Sequence, residues 1–158
     1  MTWQEVCEDR NLRNLPYKVE LDGWGRIVMS PHRKEHGAYQ GGIGVLLGRH
    51  LPGGKVLSEC AIDTSEGVNV ADVAWASHPR WGSMTEAPSC SIAPEICIEV
   101  ASFSNTGVEL EEKRRLYLEA GAEEVWLCDE EGRIGFFDAS GPLTRSRRCP
   151  KFPTRVRI

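Results

Sequence analysis

The spacing of apolar residues along the chain predicts an α/β fold. Apolar positions recur at helical spacing from Pro31 to about Leu51 and from Val108 to Gly121, which predicts two helices. Short runs with strand character lie at residues 18–22, 26–29, 56–62, 68–75, 96–101, 125–128 and 133–137. A stretch rich in Gly, Pro and Ser at 78–91 is expected to be a loop. Because no internal repeat or boundary interrupts this order, we expect one α/β domain with a mixed central sheet flanked by helices.

Two acidic residues interrupt strands that are otherwise apolar. Asp72 lies inside the run 68–75, and Glu99 lies near the end of the run 96–101. Both runs carry apolar residues on both faces, which is typical of inner strands, so both carboxylates should be buried. Removing an ion from water costs several kcal/mol unless a partner neutralises it. Each of the two acids therefore needs a partner.

A lysine on the following helix is one candidate partner. On a helical wheel, Lys113 falls within the apolar arc that contains Leu116, Tyr117 and Ala120. Lys113 could form a structural ion pair with one acid while the other is protonated or bonded to backbone N–H groups. Alternatively, the acids hold a divalent cation, because carboxylates ~4 Å apart repel by about 4 kcal/mol at an effective dielectric of about 20. Mg²⁺ prefers such oxygen ligands, and the strand periodicity leaves both interpretations open.

The same residues carry a family resemblance. In the order strand Asp, strand Glu and then Lys, the chain resembles the PD-(D/E)XK nuclease superfamily. More narrowly, it resembles the Uma family of restriction-endonuclease-like proteins over about residues 17–137. The matching segments are Asp22–Gly23, Arg26–Pro31, Glu35–Gly37, Val70–Ala74, Pro94–Val100, Glu112–Tyr117, Ala120–Gly121 and Glu124–Leu127.

This resemblance implies a restriction-endonuclease-like core and a Mg²⁺- or Mn²⁺-dependent DNA endonuclease. By position, it implies that the catalytic residues are Glu35, Asp72, Glu99 and Lys113, and that the metal ligands are Asp72, Glu99 and Glu35. The superfamily's lysine usually lies two positions after the second ligand, where this chain has Ala101. Lys113 would therefore have to replace it in space. The alternative is a catalytically inert nuclease-fold module that binds DNA or protein.

Charge is distributed unevenly along the chain. The formal net charge is −4, yet residues 144–158 contain six basic residues and no acidic residue. We therefore expect a nuclease domain over residues 1–143, followed by a basic C-terminal tail over 144–158. The tail could contact the phosphates of DNA, or it could be a solvated, frayed terminus. An acidic body is poorly suited to tight binding of DNA by a monomer, which favours a homodimer.

Other features exclude or weaken further classes. The sequence Met1–Glu5 has no signal-peptide pattern, and no apolar stretch approaches the ~20 residues of a membrane helix, so we expect a cytoplasmic protein. The six cysteines include no CxxC pair, which disfavours a disulfide framework or structural zinc. His32–His36 matches the H-x-x-E-H spacing of inverted zinc peptidases, but no third ligand identifies itself downstream.

Overall fold

The structure is a computed structural model that describes residues 1–102 and 105–158. Its strands are β1 Tyr17–Leu21, β2 Ile27–Pro31, β3 Gly54–Thr64, β4 Gly67–Ser77, β5 Ile96–Val100, β6 Glu124–Cys128, β7 Ile134–Asp138 and β8 Gly141–Leu143. Its helices are α1 Trp3–Glu8, α2 Lys34–His50, α3 His78–Ser83 and α4 Gly107–Glu119. The expected strands and helices are all present near their expected bounds.

The strands form one eight-stranded mixed sheet. Its main order is β2-β1-β4-β5-β6-β7-β8, and β3 pairs with β4 outside that path. β5 and β6 run parallel, and the other paired strands run antiparallel. The α/β class with a mixed sheet flanked by helices is therefore confirmed.

Three short elements were missed by the sequence analysis, namely α1, α3 and β8. Thr2 and Glu5 form a reciprocal capping box that stabilises the start of α1. The segment expected to be a loop begins with α3, where the Ser77 side chain accepts a hydrogen bond from the Arg80 N–H. These elements are too short to show apolar periodicity, which explains why the pattern did not reveal them.

Apolar side chains cover both faces of the central strands. α2 contributes Tyr39, Ile43 and Leu47 to a core that includes Val73 and Trp75 of β4. A second core places Tyr117 of α4 with Ala74 of β4, Cys97 of β5 and Val125 of β6. β4 and β5 thus lie between two helices, which explains why their sequences are almost continuously apolar. Charged residues on these strands have little access to water.

Residues 144–158 pack onto the core. Cys149, Phe152 and Val156 are buried in the core that α2 also joins. The buried carboxylate of Glu124 accepts hydrogen bonds from the Ser146 hydroxyl at 2.7 Å and from the backbone N–H of Arg147 at 2.8 Å. The alternative of a solvated, frayed terminus is therefore wrong. The division into a nuclease domain over residues 1–143 and a basic C-terminal tail over 144–158 stays a prediction, because the packing of the segment does not test it.

Two further findings concern the cysteines and the membrane. All six cysteines are free thiols. No helix in the described part of the chain combines the length and apolar character needed to cross a bilayer.

Candidate active site

The pairing of β4 with β5 brings two of the predicted site residues together. Val73 pairs with Ile98 in an antiparallel register, and one further step along that register sets Asp72 opposite Glu99. Directly opposed residues of antiparallel strands point to the same face. The backbone N–H of Val100 also donates to Asp72 Oδ2 at 2.7 Å, which fixes the carboxylate against β5. Both acids are 1% exposed.

Helix α4 brings a third predicted residue to the same place. Lys113 Nζ donates to Glu99 Oε1 at 3.4 Å and to Glu20 Oε1 at 2.8 Å. One turn further along, the Tyr117 hydroxyl donates to Glu99 Oε1 at 2.6 Å. Residues four apart share a helix face, and a capping box between Thr106 and Glu109 stabilises the start of this helix. Asp72, Glu99 and Lys113 thus converge, although their catalytic roles stay a prediction.

Strand β1 adds two residues that sequence reasoning missed. Lys18 Nζ lies 2.9 Å from Asp72 Oδ1 and 3.2 Å from Glu99 Oε2. β1 pairs with β4 through Leu21 and Val68, and further along β4 the Val70 N–H donates instead to the Glu20 side chain at 2.7 Å. Lys18 and Glu20 alternate with apolar residues, as on a half-exposed strand, so the pattern gave no reason to expect their burial.

His36 is a further missed contact of the cluster. Its Nε2 lies 3.2 Å from Asp72 Oδ2, and because a carboxylate accepts, Nε2 carries the hydrogen. Its Nδ1 is buried and has no hydrogen-bond partner among the described residues. His36 lies seven positions before Ile43 on α2, so the apolar stripe extended backwards would have placed it on the inner face. The ring also stacks on His32, with ring centroids 4.9 Å apart.

Glu35 is the predicted site residue that the structure does not bring to the cluster. It lies in the first turn of α2, its side chain is 52% exposed, and its carboxylate lies 3.8 Å from Lys34 Nζ. The inner position of this turn belongs to His36. The predicted role of Glu35 as a ligand stays a prediction without support from its position.

Burial and charge shift the pKa values of the cluster in different directions. Burial raises the pKa of Glu99 to about 7, although Lys113 and Lys18 act to lower it. Burial also acts to raise the pKa of Asp72, but the hydrogen bond from His36 and the charge of Lys18 hold that pKa below its usual range. Burial acts to lower the pKa of Lys18, but Glu99, Asp72 and Glu20 together raise it above the usual value. Asp72 and Lys18 are therefore both ionised at neutral pH.

The cluster forms the base of a pocket of about 340 Å³ between β1, β2, α2 and α4. Lys18, Glu20, Asp72, Glu99 and Lys113 all line it. Within residues 1–102 and 105–158, no group of three or more His, Cys, Asp or Glu side chains forms a ready metal site. The oxygens of Asp72 and Glu99 instead converge on the ammonium of Lys18. The pocket therefore contains an oxygen-lined position that already accommodates a positive charge.

Comparisons with known proteins agree with this architecture. A crystal structure described as "a putative nuclease belonging to DUF820 from Anabaena variabilis ATCC 29413" matches with a TM-score of 0.68. The match covers 98% of this chain and 83% of that chain at 18% sequence identity, so it shows a shared fold. No curated protein matches the chain. Residues 4–141 match the Uma2 family, described as "Putative restriction endonuclease". Because that match spans most of the sequence, the chain belongs to the Uma2 family, as its motifs predicted.

Proposed function

We propose that the protein is a divalent-cation-dependent endonuclease that hydrolyses phosphodiester bonds in DNA. The observation that carries this proposal is the convergence of Asp72, Glu99 and Lys113, from two strands and one helix, at the base of one pocket. Membership of a family described as "Putative restriction endonuclease" supports the same reaction class. The DNA substrate and the need for a metal are the parts that the proposal adds.

The donor set fits a hard divalent cation. Asp72 Oδ1 and Glu99 Oε2 both lie within about 3.2 Å of one nitrogen, so two carboxylates already face one cation position. Mg²⁺ is commonly held by one or two carboxylates, with water and substrate phosphate completing the shell. Asp72 and Glu99 would therefore hold Mg²⁺ or Mn²⁺. When bound, such an ion polarises a phosphoryl oxygen and lowers the pKa of bound water.

Lys113 supplies a second positive charge in the pocket. Its side chain is 12% exposed and its ammonium contacts Glu20 and Glu99, so its position is fixed before substrate arrives. A preorganised cation stabilises negative charge that develops on a phosphoryl group during transfer. We assign this role to Lys113, and we assign to Glu20 the role of positioning it.

The test is cleavage of supercoiled plasmid and of single-stranded, duplex and branched DNA in Mg²⁺, Mn²⁺ or EDTA. Asp72→Asn, Glu99→Gln and Lys113→Met should each reduce cleavage about 100-fold or more, because each removes charge from the reacting centre. Lys34→Met is the matched control, since Lys34 is 92% exposed and pairs only with Glu35 among the described residues. Equal nicking by wild type and all three pocket variants would defeat the proposal.

The second candidate is an inert nuclease-fold module that binds DNA or protein. The specific observation in its favour is that Lys18 and Lys113 already neutralise Asp72 and Glu99. Titration calorimetry with Mg²⁺ and Mn²⁺ distinguishes the two candidates. A nuclease binds one of these ions in the pocket and loses it on Asp72→Asn, whereas an inert module shows no saturable binding.

A further inference from the structure

The ammonium of Lys18 lies where the two strand carboxylates converge. It bonds to Asp72 at 2.9 Å and to Glu99 at 3.2 Å. Lys18 is 6% exposed and the two acids are 1% exposed, so the three charges meet at the closed end of the pocket. One ammonium therefore takes the place between these acids that the divalent cation needs.

We propose that Lys18 is a built-in competitor for the divalent cation, which binds only after the Lys18 ammonium has withdrawn from Asp72 and Glu99. This proposal rests on the proposed function, because it concerns the same two ligands. An ammonium and a metal ion cannot occupy one position. Even side by side the two cations would repel strongly in this buried position, and the repulsion is twice as large for a divalent ion as for a monovalent one.

The pocket offers Lys18 an alternative partner. Glu20 Oε1 lies 4.0 Å from Lys18 Nζ, and a lysine side chain has a flexible four-carbon stem. A rotation of that stem towards Glu20 keeps the ammonium paired while it releases both ligands. Glu20 is itself held by Lys113 and by the Val70 N–H, so it remains in place during the exchange. For the metal ion to enter, Lys18 therefore exchanges its two ion pairs with Asp72 and Glu99 for one ion pair with Glu20.

This competition predicts a measurable effect on affinity. A ligand that binds only a minor state has its apparent affinity reduced by the fraction of molecules in that state. If Lys18 is withdrawn in about a tenth of molecules or fewer, Lys18→Met should tighten Mg²⁺ and Mn²⁺ binding about tenfold or more. Methionine keeps an unbranched stem and removes the charge.

Lys113→Met is the matched control. Lys113 Nζ also contacts Glu99, at 3.4 Å, but it lies outside the Asp72–Glu99 pair. If the effect came only from removing a positive charge near the ligands, both variants would gain affinity equally. Competition for the position predicts a much larger gain in Lys18→Met.

The experiment is titration calorimetry of Mg²⁺ and of Mn²⁺ into wild type, Lys18→Met and Lys113→Met. We expect one bound ion, with about tenfold tighter binding to Lys18→Met than to the other two proteins. Equal affinity of wild type and Lys18→Met, or equal gains in both variants, overturns the proposal and leaves the metal site intact. No saturable binding in any of the three contradicts the proposed function and this proposal with it.

A second measurement uses wild type alone and so does not depend on folding of the variants. The ¹³Cε and ¹⁵Nζ signals of Lys18 are followed by NMR during a Mg²⁺ titration. Both signals should shift with the dissociation constant found by calorimetry, because the ammonium exchanges its carboxylate partners. Lys18 signals that stay unchanged when the Mg²⁺ site is saturated overturn the displacement.

Discussion

Asp72 and Glu99 should make opposite contributions to stability as pH changes. Asp72 has a lowered folded pKa, so its contribution is present above the unfolded value and is lost as pH falls. Glu99 has a folded pKa raised to about 7, so its contribution is present below the unfolded value and is lost as pH rises through about 7. We expect the contribution of Glu99 to the free energy of unfolding to fall by about 2 kcal/mol between pH 5 and pH 8.

Urea unfolding of wild type and Glu99→Gln from pH 5 to 8 measures this contribution. The variant cannot ionise at this position, so its stability should change less across the range than that of wild type. Glu86→Gln removes an exposed acid and should follow the wild-type curve. A Glu99→Gln curve that runs parallel to wild type would show that Glu99 is ionised throughout the range.

Tyr117 supports Glu99 and gives a second prediction at the residue scale. Its hydroxyl is fully buried and donates to Glu99 Oε1 at 2.6 Å. Tyr117→Phe keeps the ring in the core and removes only this donor, so it should cost about 1–3 kcal/mol of unfolding free energy. Tyr17→Phe removes an exposed hydroxyl as the control. The prediction is wrong if both variants unfold at the same urea concentration.

Single residues were predictable from the sequence where they broke a pattern. Asp72 and Glu99 stood out because inner strands rarely contain unpaired acids, and Lys113 stood out within an apolar helix face. Lys18 broke no pattern, because β1 reads as an ordinary alternating strand. Its burial accompanies contacts with Asp72 of β4 and Glu99 of β5, which are tertiary features. The sequence therefore suggested one lysine for two acids, whereas the structure has three acids with two lysines.

At the scale of one element, the start of α2 decides which of two neighbours faces the cluster. The helix begins at Lys34, with Arg33 as its N-cap, and this phase directs His36 inward and leaves Glu35 exposed. The resemblance points to Glu35 in this turn, whereas the residue of the turn that contacts Asp72 is His36. Extending the apolar stripe of Tyr39, Ile43 and Leu47 backwards places His36 on the inner face of the helix. The sequence therefore allowed the orientation of His36 to be predicted, but not its contact with Asp72.

The two neighbours on α2 therefore provide a matched pair of variants. His36→Ala leaves Asp72 Oδ2 with one hydrogen-bond donor fewer in a buried site, which should cost about 1–3 kcal/mol of unfolding free energy. Glu35→Gln changes an exposed side chain and should stay within about 0.5 kcal/mol of wild type. DNA cleavage is measured on the same proteins. Loss of cleavage in Glu35→Gln, with stability unchanged, would restore Glu35 as a ligand.

At the scale of the whole molecule, residues 144–158 alternate between anchoring and exposed positions. Ser146, Cys149, Phe152 and Val156 are buried, whereas all six basic residues are exposed. The charge pattern was visible in the sequence, but the anchoring was not, because Pro150 and Pro153 argue against a helix although the four buried residues are three or four positions apart. Truncation after Pro142 would remove part of the core. It would therefore unfold the protein and could not isolate an effect on DNA binding.

Phe152 measures that structural contribution. Its ring packs on Trp126 with centroids 4.7 Å apart, and the residue is 3% exposed. Phe152→Ala should cost about 3–5 kcal/mol, because it leaves a cavity between the segment and the sheet. Phe137→Ala, on a half-buried ring of β7, should cost less. Equal losses in urea unfolding would mean that the C-terminal segment contributes no more than an edge strand.

The DNA-binding role of the basic segment requires variants that keep this anchoring. Arg147 and Arg148 form ion pairs with acids of the fold and Arg155 donates to the Glu131 carbonyl oxygen, whereas Arg145, Lys151 and Arg157 make no such contact with the described residues. These three are therefore the cations available to phosphates.

Changing Arg145, Lys151 and Arg157 together to Gln should weaken binding of duplex DNA. The slope of log affinity against log salt should fall by about 1–3, at about 0.9 per lost phosphate contact. The charge-matched control changes Arg10, Arg13 and Arg49 to Gln, which are exposed cations outside the segment. If both triple variants change the slope equally, the effect is one of net charge, and the segment has no specific role in holding DNA.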